Sequence, residues 1–196
     1  MAVELISTSV QAVLDLDATR LVTGEELAAT GDLSRCELIE GRIAPKSPTG
    51  DKHGSYEGNF YAALRAFAQM RRLGKVRVGE VGIYTGRQPD TVRGADVLFI
   101  SNERYAQKKS SSYLDVAPEL VVEILSPGDS WSEVMQKLRE YFAIGVRLVW
   151  VADPQVRCVY AYRSLTDVRE FAENDELPGD ELLPGFAVKV AALFEE

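Results

Sequence analysis

The run Glu119–Ser126, ELVVEILS, has the apolar content of an interior strand and carries a glutamate inside it. Val121, Val122, Ile124 and Leu125 suit a buried strand, and Glu123 is what such a strand should exclude. An unpaired carboxylate in a low-dielectric interior is costly, so Glu123 has to be neutralised, ion-paired or bound to a metal. The same conflict recurs in GADVLFI, a short and nearly all-apolar strand that contains Asp96. Side chains alternate along strands, which puts Glu123 on a face with Val121 and Leu125, and Asp96 on one with Leu98 and Ile100. Two carboxylates on neighbouring strands repel and raise each other's pKa unless a cation lies between them. Oxygen ligands of this kind suit magnesium, commonly held by one or two carboxylates plus substrate phosphate.

The elements around these strands are marked by their punctuation. TGEELAATG opens with Thr23 and has Glu26 three residues on, a capping box for a short helix ending near Gly31. CELIEGRIAPKSPTG is a strand, a tight turn at Glu40–Gly41 and a second strand closed by a Pro/Gly loop. From His53 to Leu73, Tyr56, Phe60, Ala63, Leu64, Phe67 and Met70 form an apolar helical stripe. KVRVGEVGIYTG is a strand with a bulge near Gly79 or Gly82, and residues 102–117 form a polar loop. Ser130 and Glu133 make a second capping box, opening a helix to Gly145. RLVWVADP, CVYAYRS and the tail LPGFAVKVAALFEE supply further strands and a short last helix. This order predicts an α/β sandwich around a mixed central sheet flanked by helices. A chain of 196 residues is long enough for one domain spanning 1–196, with an N-terminal helical segment over residues 1–35 packed on it.

No apolar run approaches the length of a membrane span, and MAVELISTSV lacks the form of a secretory signal. Two cysteines far apart, Cys36 and Cys158, give neither a disulfide framework nor a zinc site. These features predict a cytoplasmic protein with reduced thiols. The net charge is −8, but from Gly41 to Lys109 there are 13 Lys/Arg against 6 Asp/Glu, a net of +7, which leaves −15 for the remainder. Such asymmetry fits a basic binding face on an otherwise acidic protein. Arg65, Arg71, Arg72, Lys108 and Lys109 are the candidate phosphate contacts.

A cationic partner for Glu123 can be sought by length. Glu123 lies roughly 10 Å before the end of its strand, and Lys137 lies roughly 9 Å into the following helix. A helix folding back over the sheet returns the two to the same height. On a helical wheel Trp131, Val134, Leu138 and Phe142 define a buried stripe, with Lys137 on one flank and Arg139 on the other. Angular position alone does not choose between these two cations.

ELIEGRI, SPTGDKH, ADVLFI, ELVVEILSPGDS, QKLREYFAIGVRLVWVADP and LPGF, taken in order, resemble the Uma-two type restriction endonuclease family, a branch of the PD-(D/E)xK nuclease superfamily. The resemblance runs from about Thr23 to Phe194. It implies a restriction-endonuclease-like fold and a metal-dependent phosphodiesterase core, with Asp96 as the first acid and Glu123 as the second. Two positions depart from the superfamily pattern. Ala95 stands where a proline precedes the first acid, and Leu125 stands where a lysine follows the second. In this family the lysine has moved to the next helix, which makes it Lys137, in agreement with its height.

The resemblance further implies that Asp96, Glu123 and the backbone carbonyl of Ile124 hold Mg²⁺, with Mn²⁺ as a substitute. Lys137 would orient the attacking water or offset transition-state charge. Glu37 resembles the acid near the start of the fold that completes the site, and His53, the sole histidine and so a poor structural-metal candidate, matches a histidine of the family pattern and is a candidate phosphate contact. The expected activity is endonucleolytic hydrolysis of DNA phosphodiester bonds. The expected partner is nucleic acid, DNA in particular, with no membrane and with a homodimer compatible with the pattern. The alternative is a non-catalytic nucleic-acid-binding or protein-interaction module that keeps the nuclease fold.

Overall fold

The structure, a computed structural model, describes residues 20–30 and 36–196. Most of the N-terminal helical segment expected over residues 1–35 therefore lies outside the described residues. Within it, α1 (Gly24–Ala29) has the predicted capping box: Thr23 accepts from the Glu26 N–H, and Glu26 reaches back to the Thr23 N–H.

β1 (Cys36–Ile39) and β2 (Arg42–Pro45) form a hairpin in which Ile39 pairs with Arg42. Its two-residue turn puts Glu40 and Gly41 at φ 49° and 76°. Positive φ at both central residues matches the twist of the strands. A side chain at Gly41 would also meet the Leu21 Cβ at 2.8 Å. α2 (Asp51–Met70) then leads into the long hairpin of β3 (Gly74–Gly86) and β4 (Thr91–Ser101). The segment read as one polar loop opens instead with a helical turn, α3 (Asn102–Tyr105), and Leu114 is pinned to β3 by a bridge to Ile83. β5 (Leu120–Ile124), α4 (Trp131–Ile144), β6 (Leu148–Asp153) and β7 (Cys158–Tyr162) follow as expected. β8 (Val168–Phe171), β9 (Glu176–Pro178), β10 (Ala187–Lys189) and α5 (Val190–Leu193) complete the chain.

The central sheet runs β2-β1-β4-β5-β6-β7-β8, with β3 also paired to β4. Its pairings are antiparallel except for β5 with β6. That parallel pair needs a crossover, and α4 supplies it. β9 and β10 pair separately.

Alternation on the central strands builds two apolar layers. Val97, Phe99, Leu120, Val122 and Trp150 pack with Tyr56, Phe60, Leu64 and Ala68 of α2. Leu98, Ile100, Val121, Val149 and Val151 pack with Val134, Leu138 and Tyr141 of α4. Each such fully buried aliphatic or aromatic side chain contributes roughly 1.5–3 kcal/mol, which fixes both helices on the sheet. The stripe on α4 is rotated from the sequence expectation. Trp131 is 52 % exposed, set edge-on to Tyr160, and Tyr141 is fully buried in its place. The rotation turns Lys137 toward the sheet and leaves Arg139 exposed.

Candidate active site

Asp96 sits where β4 and β5 part. Their backbone pairing ends at Val97–Val122, and beyond it the Asp96 side chain takes over. Its Oδ2 accepts the Ile124 N–H at 2.6 Å. On the other flank of β4 the predicted bulge is present. Val78 pairs with Val97 and Val81 with Ala95, which leaves Gly79 and Glu80 opposite Asp96. Gly79 and Glu80 have φ of 91° and 56°. A bulge of this kind re-aims a side chain, and Glu80 Oε2 lies against Gly94. Burial first, then the charge of Asp96, push the Glu80 carboxyl above its usual range.

α2 supplies two more groups. His53 and Glu57 are one helical turn apart, with Nε2 and Oε1 separated by 3.3 Å, and His53 Nε2 is 3.6 Å from Asp96 Oδ1. One ligand atom from each of His53, Glu57 and Asp96 falls within 4.8 Å of the others. Among the described residues, His53 Nε2 and Glu57 Oε1 are buried polar atoms without a hydrogen-bond partner. The two face each other as an ion pair outside hydrogen-bond geometry, so no hydrogen bond commits either atom. Burial would lower the His53 pKa, but the two carboxylates outweigh it and raise it to about 10. Its Nδ1 lies 3.4 Å from Ser126 Oγ.

Glu123 and Lys137 form the second half of the site. Lys137 Nζ donates to Glu123 Oε2 at 2.6 Å, and the Tyr141 hydroxyl donates to Glu123 Oε1 at 2.6 Å. Burial pushes the Glu123 carboxyl up to about 7; Lys137 opposes the shift, and the charge of Asp96 adds to it. Burial disfavours the Lys137 ammonium, yet Glu123 and Glu37 more than offset this and raise its pKa. Glu37, 2 % exposed, lies 3.3 Å from Lys137 Nζ and 2.9 Å from Arg93. It also accepts the Gly94 N–H, and Lys46 stands 3.4 Å away. Arg93 grips Glu140 of α4 with two bonds of 2.6 and 2.7 Å. Glu37 is thus the anchor that, through Arg93, ties the first hairpin to α4 and holds Lys137 in place.

Of the residues singled out in the sequence, Asp96, Glu123, Lys137, Glu37 and His53 are linked through one chain of contacts. Ile124 enters through its N–H on Asp96. Four contributors were not foreseen. Glu57 was signalled by its place four residues after His53 on one helix face. Tyr141 carries the same signal relative to Lys137. Glu80 and Arg93 depend on the bulge and on the first hairpin, and no local pattern marks them. The basic candidates separate. Arg65 and Arg72 line one groove, whereas Arg71 donates to the Pro184 carbonyl and Lys108 to that of Ser110. The Lys109 N–H is capped by Asp115.

Among the described residues no helix is long and apolar enough to cross a membrane. A search among curated proteins gives no match. A crystal structure of "a putative nuclease belonging to DUF820" from Anabaena variabilis ATCC 29413 superposes with a TM-score of 0.72 at 20 % identity, over 88 % of this chain and 97 % of that one. At that identity the likeness shows a shared fold, a mixed α/β architecture with a mostly antiparallel sheet between helices. The profile of the Uma2 family, described as "Putative restriction endonuclease", matches residues 24–191. Spanning most of its length, that match places the chain in the Uma2 family.

Proposed function

We propose that the chain is a divalent-metal-dependent endonuclease that hydrolyses DNA phosphodiester bonds. The observation that carries this is the convergence of His53 Nε2, Glu57 Oε1 and Asp96 Oδ1, two of them buried without a hydrogen-bond partner, beside the Glu123–Lys137 pair.

The donor set fits a cation. Asp96 keeps one oxygen fixed by Ile124 and turns the other toward His53 and Glu57. Each Glu123 oxygen carries one donor and retains a second acceptor position. With His53, Glu57 and Asp96 as the cluster the fold assembles, Glu123 and the Ile124 carbonyl would be the further oxygen donors to a bound ion. Such a set suits Mg²⁺, and the imidazole makes Mn²⁺ at least as good an occupant. The chemistry supplied by the bound ion is polarisation of the scissile phosphate and a lowered pKa for a coordinated water.

The chain's own residues do the rest. Lys137, held by Glu123 and Glu37, keeps a positive charge beside the reacting phosphate and offsets the charge that builds on it. Tyr141 and Ile124 hold Glu123 and Asp96 in place, and Glu37 does the same for Lys137.

The test is nicking of supercoiled plasmid and cleavage of single-stranded DNA with Mg²⁺, with Mn²⁺ and with EDTA. Cleavage that needs metal and is lost in Asp96→Asn supports the proposal. DNA binding without cleavage under every metal condition would place the chain with the non-catalytic modules instead.

A further inference from the structure

A second basic feature lies at the other end of α2. Arg65 and Arg72 from its C-terminal half, with Lys75 and Arg77 from the start of β3, line an open groove of about 310 Å³ that also takes in Gln69 and Asn102. Among the described residues none of these four cations has a carboxylate partner. By contrast, Arg93, Arg104 and Lys137 are each ion-paired. Four like charges around one groove repel in the free protein, a cost that an anion removes.

The cations are also pre-set. Lys75 and Arg77 lie over the Tyr105 ring, at 4.8 and 5.9 Å from its centroid. Arg65 lies over Tyr61 at 5.5 Å and donates to its hydroxyl at 2.7 Å. Stacking on an aromatic face orders a long side chain without consuming its charge.

The groove is aligned with the candidate active site. His53, Glu57, Tyr61, Arg65 and Gln69 form one i,i+4 row on α2, next to the buried row Tyr56, Phe60, Leu64 and Ala68. Arg65 is therefore ~12 Å along the helix from Glu57. β3 runs back the other way, and Arg77 precedes Glu80 by three residues, ~10 Å of strand. Both measures put the groove ~10–12 Å from the residues around Asp96, within reach of the same strand.

We propose that this groove is a phosphodiester-binding track for the DNA strand flanking the scissile bond, a role that rests on the nuclease function proposed above. Arg65, Arg72, Lys75 and Arg77 contact backbone phosphates there. Contacts of this kind are independent of base sequence, so the track sets affinity and register rather than specificity.

The test uses the triple variant Arg65→Gln, Lys75→Gln and Arg77→Gln, which keeps polar side chains at each position. A control variant, Arg147→Gln, Arg169→Gln and Lys189→Gln, makes the same charge change elsewhere. Binding of a labelled duplex of about 20 bp is followed by anisotropy in EDTA as salt rises from about 50 to about 200 mM. The groove variant is expected to bind roughly 10- to 100-fold more weakly at low salt, with the salt slope reduced by about 2–3, while the control keeps the wild-type slope. Metal-dependent hydrolysis of bis(p-nitrophenyl) phosphate, too small to reach the groove, should be the same in the variant and the wild type. An unchanged slope in the groove variant, an equal loss in the control, or salt-insensitive wild-type binding overturns the track. Absence of diester hydrolysis in the wild type counts against the nuclease function alone, because the binding measurement still decides the groove.

Discussion

The Ile124 N–H donates to Asp96 Oδ2 at 2.6 Å, so the residue next to one acid of the site is fastened by the other. Removing the Asp96 charge and removing its hydrogen bond should therefore separate. Asp96→Asn keeps an acceptor for Ile124 and should fold with near-native stability while losing cleavage and most Mn²⁺ affinity. Asp96→Ala strands a buried N–H and should cost about 1–3 kcal/mol in addition. Urea denaturation and Mn²⁺ calorimetry of the two variants make the comparison. In the wild type, Mn²⁺ at a hundredfold excess over its Kd should add ~2.7 kcal/mol of stability, and neither variant should show this gain.

Lys137 has two carboxylate partners, and its side chain is 17 % exposed. Lys137→Ala should slow cleavage on the order of 10²–10³-fold, as loss of one transition-state donor does. It should also cost about 2–3 kcal/mol, somewhat less than a fully dry pair would. Adding Glu123→Gln should destabilise by less than the sum of the two single changes, because the pair is counted once. Glu123→Gln alone should abolish cleavage. A double-mutant cycle from denaturation midpoints, with single-turnover rates, reads both effects.

Without metal, His53 is held as an imidazolium between Asp96 and Glu57, its pKa raised from 6.5 to about 10. A raised basic group stabilises the fold fully below its ordinary pKa and loses that contribution as pH rises through the folded value. The metal-free protein should therefore lose ~2 kcal/mol between about pH 6 and pH 10.5, after allowance for partial solvation. His53→Gln should flatten that slope. An imidazole NMR titration of the sole histidine with a midpoint near 6.5 would contradict this arrangement.

Glu80 moves stability in the same direction. Burial and the charge of Asp96 raise its carboxyl, so the folded state keeps a proton that the unfolded chain gives up, and stability falls as pH rises above the ordinary carboxylate range. Glu80→Gln should be more stable than the wild type at about pH 8 and nearly equal to it at about pH 5. Guanidinium denaturation at both pH values provides the check.

The parts of this protein that were legible in its sequence are those written in short-range patterns. The capping boxes at Thr23 and Ser130, the turn at Glu40–Gly41 and the alternation along β4 and β5 each depend on residues a few positions apart. Asp96 and Glu123 stood out because charge in an apolar strand conflicts with burial. Trp131 misled, since a large apolar side chain at a helix start reads as buried; here it lies on the surface against Tyr160, and Tyr141 holds the interior place. Glu57, Glu80 and Arg93 were hidden because their roles depend on which strands and helices become neighbours. Only the fold brings Arg93 to Glu37, 56 positions away.

That separation also bears on time. Glu37 meets Arg93 across 56 residues, Lys137 meets the Gly94 carbonyl across 43, and Asp96 meets Ile124 across 28. Contacts of long sequence separation form only after the loops between them have closed, and loop closure slows folding. No fragment ending before α4 contains both Asp96 and Lys137, so during synthesis the acids exist before the lysine that balances them. A refolding chain should accordingly regain its secondary structure before its capacity to bind metal, and its capacity to cut DNA last of all.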